Sequence, residues 1–308
     1  MPAIWVKELI VIFCFIFRGI FVSLNPKEYN LCFYCIFNRF LSELFNLDNS
    51  SFMKIVCIIP ARYASQRLPG KPMLKIGDAP MIEWVYRRAC QVKKFETVIV
   101  ATDSQVIYDH IVSIGGHSTL TPVELGSGTE RVAYIAKHIN AEIFLNLQGD
   151  EPLIVPTVLE KLCDAFQNPE VQIATPISRI KSVQDLTNPN LVRVVLDHEG
   201  NALYFTRSVI PFFRDLEKYE DWLENFEYYR HVGVYAYRKD LLLRLTRLKP
   251  GKLEQVENLE QLRILEQGYK IRTVITDYQA RSVDTEEDLN EVNKYIFDHH
   301  LTVEKINA

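Results

Sequence analysis

The sequence predicts an α/β fold: a mostly parallel central sheet flanked by helices, with a β-rich inserted segment. Three observations carry this reading. From residue 53 onward, short apolar runs alternate with stretches of helical period, the pattern of strands joined by crossover helices. The first of these runs, 54–59, leads into a loop dense in Arg, Lys and Pro, and open sheets receive phosphate at the carboxyl ends of their strands. The region around 175–240 departs from the alternation and includes the strand-like run 230–237.

Taken in order, the expected strands are 54–59, 97–101, 143–147, 172–176, 191–196 and 271–276. A helix over 81–92 separates the first two. A second helix, 129–138, places Val132, Ile135, Ala136 and Ile139 at i, i+3, i+4 and i+7, a stripe for packing on a sheet. The run 230–237 alternates cleanly, with Val232, Val234 and Ala236 on one face and His231, Gly233, Tyr235 and Tyr237 on the other. A third helix is expected over 253–265, with Leu253, Val256, Leu259, Leu262 and Leu265 as its apolar stripe. No repeat or flexible linker divides residues 53–308, which read as one domain.

Residues 1–52 have a different character. An apolar run from Leu9 to Phe17 is interrupted by Arg18 and resumes at Gly19, which falls short of the roughly 20 residues of a membrane span. No small-x-small cleavage site follows it. Met53 directly precedes the first strand, so a chain initiated there contains every motif below. Initiation at Met53 is the preferred expectation, and a tilted anchor with Arg18 snorkelling is the other. Membrane contact is expected only if this extension is made.

With 308 residues, 48% of them apolar, the chain can bury a large core. A net charge of −4 without a basic block gives no reason to expect nucleic acid as a partner. The six cysteines show no disulfide spacing, and Cys57 and Cys90 read as core thiols of a reducing compartment. Cys32 and Cys35 form a C-x-x-C, but with no second pair and aromatic surroundings they do not argue for metal or redox chemistry.

The chemistry concentrates in a few places. Arg62, Arg67 and Lys71 lie in a loop stiffened by Pro60, Pro69 and Pro72, which reads as a triphosphate cradle. Gln148-Gly149-Asp150-Glu151-Pro152 follows an apolar strand; Gly149 suits a tight turn, and Asp150 then emerges beside the cradle as a ligand for a hard cation such as Mg²⁺. An aspartate that closes the turn on its own backbone is the plainer alternative. Asp284 stands before Thr285-x-x-Asp288, which fits a capping box, so it serves as a second ligand only in company with Asp150. Ser127-x-x-Glu130 is another capping box, and it can present free amides and Arg131 to a nucleotide. The His231–Tyr235 face suits either the wall of a pocket for a polyhydroxylated ligand or a subunit contact. Glu257 and Gln261, four apart on the third helix, can reach one ligand together or simply face solvent. Walker, dinucleotide-fingerprint, G-x-S-x-G and H-E-x-x-H motifs are absent.

In their order, Pro60–Pro72, Ala101-Thr102-Asp103, Ser127–Arg131, Gln148–Pro152, Arg230–Tyr235, Leu259–Arg263 and Val283–Thr285 resemble the 3-deoxy-manno-octulosonate cytidylyltransferase (CMP-Kdo synthetase) family. The resemblance runs from Met53 almost to the C-terminus. It implies a nucleotidyltransferase fold and the transfer of CMP from CTP to the sugar acid Kdo, with release of pyrophosphate, in lipopolysaccharide synthesis. It further implies that Arg62, Ser65, Arg67 and Lys71 bind the CTP phosphates, and that Ser127, Thr129 and Arg131 help bind the nucleotide. Gln148, Arg207, His231, Tyr235, Glu257 and Gln261 would line the Kdo site, and Asp150 and Asp284 would hold Mg²⁺. The implied catalytic set is Arg62, Lys71, Asp150 and Asp284, in a cytoplasmic homodimer. Gln66 departs from the family, which often has a small hydroxyl residue there; residues 1–52 are the larger departure. Another sugar acid, 8-amino-Kdo or a sialic acid, is the nearest rival substrate. Lys71-Pro72 and the 148–152 pentapeptide favour Kdo over sialic acid. A metal-dependent glycosyltransferase is a poorer match, because it would need D-x-D after a central strand.

Overall fold

The computed structural model describes residues 53–64 and 68–304. Expectations for residues 1–52, and for Ser65, Gln66 and Arg67, lie outside the described residues.

Strand β1 (Ile55–Ala61) is buried on both faces, as a central strand of a parallel sheet must be. It pairs in parallel with β4 (Phe95–Thr102) on one side and β6 (Ile143–Asn146) on the other, and β5 (His117–Leu120) extends the parallel array beyond β4. Val56 and Ile58 face one side and Cys57 and Ile59 the other, which is the period of two expected of a strand. Helices cover both faces. Helix α1 (Met81–Cys90), α2 (Gln105–Ser113) and α4 (Pro156–Asp164) pack on the Cys57 side; α3 (Gly128–Ala136) packs on the Val56 side. The α3 stripe is the expected one, with Val132, Ile135 and Ala136 buried and Ile139 against them.

Among the described residues the sheet has ten strands: β5, β4, β1 and β6 continue into β11 (Tyr235–Arg238), β7 (Ile173–Arg179), β10 (Tyr229–His231), β8 (Arg193–Leu196) and β9 (Ala202–Thr206), with β12 (Arg272–Thr276) also paired to β7. β11 runs antiparallel between β6 and β7, so β6 and β7 share a direction. β12 lies parallel to β7. The inserted segment is continuous with the sheet: β8, β9 and β10 extend it as antiparallel strands. A separate two-stranded hairpin, β2 (Lys75–Ile76) and β3 (Ala79–Pro80), packs with Trp84 against the helix Glu286–Asp298 through Val292 and Ile296.

Several expectations need correction. The run 230–237 is two strands, because the chain turns at Gly233: the Val234 N–H donates to the Val232 carbonyl at 2.6 Å, a three-residue turn. Its two faces nevertheless hold. Val232, Val234 and Ala236 enter one core and Tyr237 the other. The helix expected over 253–265 is also two, Lys252–Glu257 and Gln261–Glu266, broken where Asn258 adopts a left-handed conformation (φ 54°). Leu253 and Val256 are therefore exposed, while Leu259 and Leu262 are buried. Cys90 is exposed rather than a core thiol; Cys57 is buried as expected.

Candidate active site

Three loops converge at the carboxyl ends of β1 and β6. In the first, Gly70 sits at φ 66°, donates its N–H to the Tyr63 carbonyl (3.1 Å), and starts the short turn Lys71–Met73. A side chain at this φ would be strained, so glycine is what lets the loop reverse and present Lys71. In the second, Gly149 follows β6. Its φ is not positive, so the tight-turn reason for glycine fails. What glycine provides is close approach, because a Cβ there would stand 3.2 Å from the Pro60 carbonyl. In the third, the Val283 N–H donates to the Asp150 carbonyl (3.0 Å), and Thr285 and Asp288 form the expected capping box on the helix Glu286–Asp298. Capping and site-building hold together at Asp284, because the box fixes the residue before it.

These loops bring Lys71 between two carboxylates. Its Nζ is 2.7 Å from Asp150 Oδ2 and 2.9 Å from Asp284 Oδ1. Burial would lower the Lys71 pKa, but the charge and hydrogen bonds of Asp150 and Asp284 outweigh it and raise it above its ordinary 10.5. Two carboxylates thus converge on one cation. That donor set fits Mg²⁺, which binds through one or two carboxylates and completes its shell with water and phosphate oxygens. No cluster of three metal-ligating side chains occurs among the described residues.

The other residues expected on the nucleotide side make different contacts. Arg62 donates to the Leu125 carbonyl. Ser127 caps α3, its hydroxyl accepting from the Glu130 N–H at 3.1 Å. Thr129 is buried, where it shares hydrogen bonds with Asn146 and Tyr237. Arg131 is fully buried and ion-paired to Asp103 at 2.9 Å, with a further bond to Thr121. Burial depresses its pKa and Asp103 partly restores it. Its guanidinium braces the loops after β4 and β5.

On the other side, Gln148 lies beside Gly128 and Gly233 and donates to Asn146 Oδ1 at 3.3 Å, joining the start of α3 to the β10–β11 turn. His231 and Tyr235 flank that turn with ring centroids 5.1 Å apart. Burial pushes the His231 pKa down to about 3, so the ring is neutral. The single hydroxyl proton of Thr175 goes to the Val234 carbonyl (2.7 Å), so Thr175 accepts from His231 Nε2 (2.9 Å). Nδ1 is then the acceptor of the ring. The buried Tyr235 hydroxyl has no hydrogen-bond partner among the described residues. Arg207 and Glu257 are held together: Glu257 accepts from the Thr206 hydroxyl (2.5 Å) and the Arg207 N–H (3.1 Å). Gln261 is buried, one helix further on and no longer one turn from Glu257.

Some residues carry the site without having been singled out. Asp103 anchors Arg131. Arg193, buried, binds the carbonyls of Leu191, Arg207, Asp185 and Leu186 and so fixes the Arg207 corner. Glu151 is buried next to Asp150; it accepts from the Tyr278 hydroxyl (3.0 Å) and from Ser282. Burial pushes its pKa up to about 7 against those two bonds. For Asp103 and Glu151 a sequence signal existed, since both lie inside quoted motifs. A buried arginine such as Arg193 leaves no such mark.

Comparison with known proteins places this geometry. The family described as Cytidylyltransferase matches residues 56–271. A 3-deoxy-manno-octulosonate cytidylyltransferase of Geobacter metallireducens is 44% identical over 247 residues, covering 78% of this chain and 96% of its own. One from Cytophaga hutchinsonii is 42% identical over 242 residues, with 78% and 96% covered. Among solved structures, a CMP:2-keto-3-deoxy-manno-octonic acid synthetase complexed with CTP superposes with a TM-score of 0.75 at 39% identity, over 80% of this chain and 99% of that one.

Proposed function

The chain belongs to the 3-deoxy-manno-octulosonate cytidylyltransferase family, and on that premise we propose that it transfers CMP from CTP to the anomeric hydroxyl of Kdo, releasing pyrophosphate for lipopolysaccharide synthesis. The observation that carries the reading is the convergence of Asp150 and Asp284 on Lys71 at the strand ends where an α/β sheet receives nucleotide phosphates.

The hydroxyl of Kdo attacks the α-phosphorus as the bond to pyrophosphate breaks, and both reactants are anionic. Asp150 and Asp284 are the residues that would hold Mg²⁺, which when bound supplies Lewis acidity toward hydroxyl and phosphate oxygens. Lys71 is the group that can turn from the carboxylates to the phosphates, offsetting charge on the leaving group together with Arg62. Arg67 is assigned to the same cradle on the resemblance alone. The start of α3 presents amides to the nucleotide.

On the sugar side, a neutral His231 offers Nδ1 as a hydrogen-bond acceptor for a hydroxyl, and the Tyr235 hydroxyl offers an uncommitted donor. With its pKa depressed to about 3, His231 is a poor proton acceptor and serves to orient the sugar acid. Arg207 supplies a cation for the Kdo carboxylate, held in place by Glu257. Gln148 joins the two halves of the site.

A cytoplasmic homodimer is part of the same proposal. No helix among the described residues is long and apolar enough to cross a membrane. Cys57, Cys90 and Cys163 are free thiols, and exposed Phe212 and Phe297 offer apolar surface for a contact. Sedimentation checks the dimer. The activity is tested by incubating the protein with CTP, Mg²⁺ and, separately, Kdo, 8-amino-Kdo and a sialic acid, and measuring pyrophosphate. Release with Kdo supports the assignment; release only with another sugar acid replaces the substrate.

A further inference from the structure

Asp150 and Asp284 come from parts of the chain far apart in sequence, and their meeting on Lys71 depends on where the segment 278–284 lies. That segment has no regular secondary structure. Its hold on the rest of the protein is instead a set of bonds to residues bordering the site. The Glu151 carboxylate takes one hydroxyl on each oxygen, Tyr278 on Oε2 at 3.0 Å and Ser282 on Oε1. The Ala280 carbonyl between them accepts from Arg230 Nη2 at 3.1 Å, and Arg230 is itself fixed by the Ser178 hydroxyl at 3.2 Å. The Val283 N–H then meets the Asp150 carbonyl at 3.0 Å.

Glu151 is 2% exposed and Arg230 6%. Burying a carboxylate is costly, and a purely structural turn after β6 does not require one. What the carboxylate provides is two acceptors on one rigid group, which pin the segment at both ends of a five-residue stretch (278–282) immediately before Asp284.

We propose that Glu151 is a positioning residue: by holding Tyr278 and Ser282 it sets Asp284 opposite Asp150 and thereby the strength of the divalent-cation site. Because Arg230 immediately precedes His231, the same clip links the sugar-side strand to the carboxylates. The inference rests on the assignment of Asp150 and Asp284 as cation ligands. It adds a residue whose part is played through hydrogen bonds rather than through contact with the ion.

The test uses the full chain and isothermal titration. CTP is titrated with EDTA present and again with Mn²⁺ present, and the ratio of the two Kd values is the cation-dependent gain. In the Tyr278→Phe/Ser282→Ala double variant the gain falls about tenfold, the loss typical of removing outer-shell support, while CTP binding in EDTA stays within about twofold of wild type. Ser282→Ala alone, at an exposed residue, shows a smaller loss in the same direction and keeps the test usable if the double variant folds poorly. Glu151→Gln, which keeps one carbonyl acceptor, falls between wild type and the double variant. An unchanged gain in folded variants overturns the proposal, as does an equal loss in EDTA and in Mn²⁺, which would mark general structural support. Asp150→Asn is the control. If it keeps the full gain, the cation-ligand assignment itself fails, and that is a different result from failure of the clip.

Discussion

The ammonium of Lys71 stands between the carboxylates of Asp150 and Asp284, 2.7 Å from one and 2.9 Å from the other. The lysine holds the two acidic residues in register, and it occupies the point on which a cation would bind. Its raised pKa keeps it charged. The contribution of these ion pairs to stability is fully present below the ordinary 10.5 and is lost as pH climbs through the higher folded value.

Replacing Lys71 with Met should therefore have opposite effects on two measurements. Two facing carboxylates without their ammonium bind Mn²⁺ in the absence of CTP at least about tenfold more tightly, because like charges that close favour any cation. Turnover falls by about a hundredfold or more, since the phosphates lose a charge partner. Mn²⁺ binding by electron paramagnetic resonance, alongside steady-state rates, reads both. Unchanged Mn²⁺ affinity would show that Lys71 does not compete for the carboxylates.

Tyr235→Phe removes a buried hydroxyl that has no hydrogen-bond partner among the described residues. The free protein loses no bond, so its Tm stays level or rises slightly. KM for Kdo increases about five- to tenfold, the worth of one hydrogen bond of about 1 to 1.5 kcal/mol, and KM for CTP is unaffected. A marked fall in Tm, or equal effects on both KM values, would contradict this assignment.

His231 ties stability to pH. Its folded pKa of about 3 lies below the ordinary 6.5, so between those values the unfolded chain binds the proton and the folded one does not. The contribution is present above 6.5 and declines as pH falls toward 3, by up to about 1.4 kcal/mol per pH unit. Urea unfolding at pH 7, 6 and 5 should show a shallower acid decline for His231→Asn than for wild type. An identical decline would place the His231 pKa near its ordinary value.

Much of this site could be read from local sequence. Apolar period placed β1, β4, β6 and α3 within a residue or two, and charge and proline marked the Lys71 loop. Both helix caps were visible because a cap is a contact between residues three apart; the Thr285 box is reciprocal, whereas at Ser127 only the cap forms and the Glu130 carboxylate accepts from the Gly126 N–H instead. What was not visible depends on distant contacts. Insertion of β11 between β6 and β7 follows from pairing across the fold, and within residues 230–237 the lone Gly233 is the one local sign of the turn. The break at Asn258 was hidden for a related reason. The leucine spacing of a continuous helix persists across it, while Leu259 turns to a core that Leu253 and Val256 never reach. Arg131 reads in sequence as a nucleotide contact and Glu151 only as part of a motif, and burial reveals both as braces.

The most direct test of the central claim, that Asp150 belongs to the reaction centre, is the turnover of Asp150→Asn with CTP and Kdo at saturating Mg²⁺, set beside its Kd for CTP in EDTA. The substitution keeps the shape and removes the charge that faces Lys71. The expected result is a fall in kcat of about 1,000-fold, near 4 kcal/mol of lost transition-state stabilisation, with CTP affinity within about threefold of wild type. A normal kcat at saturating Mg²⁺ would contradict it.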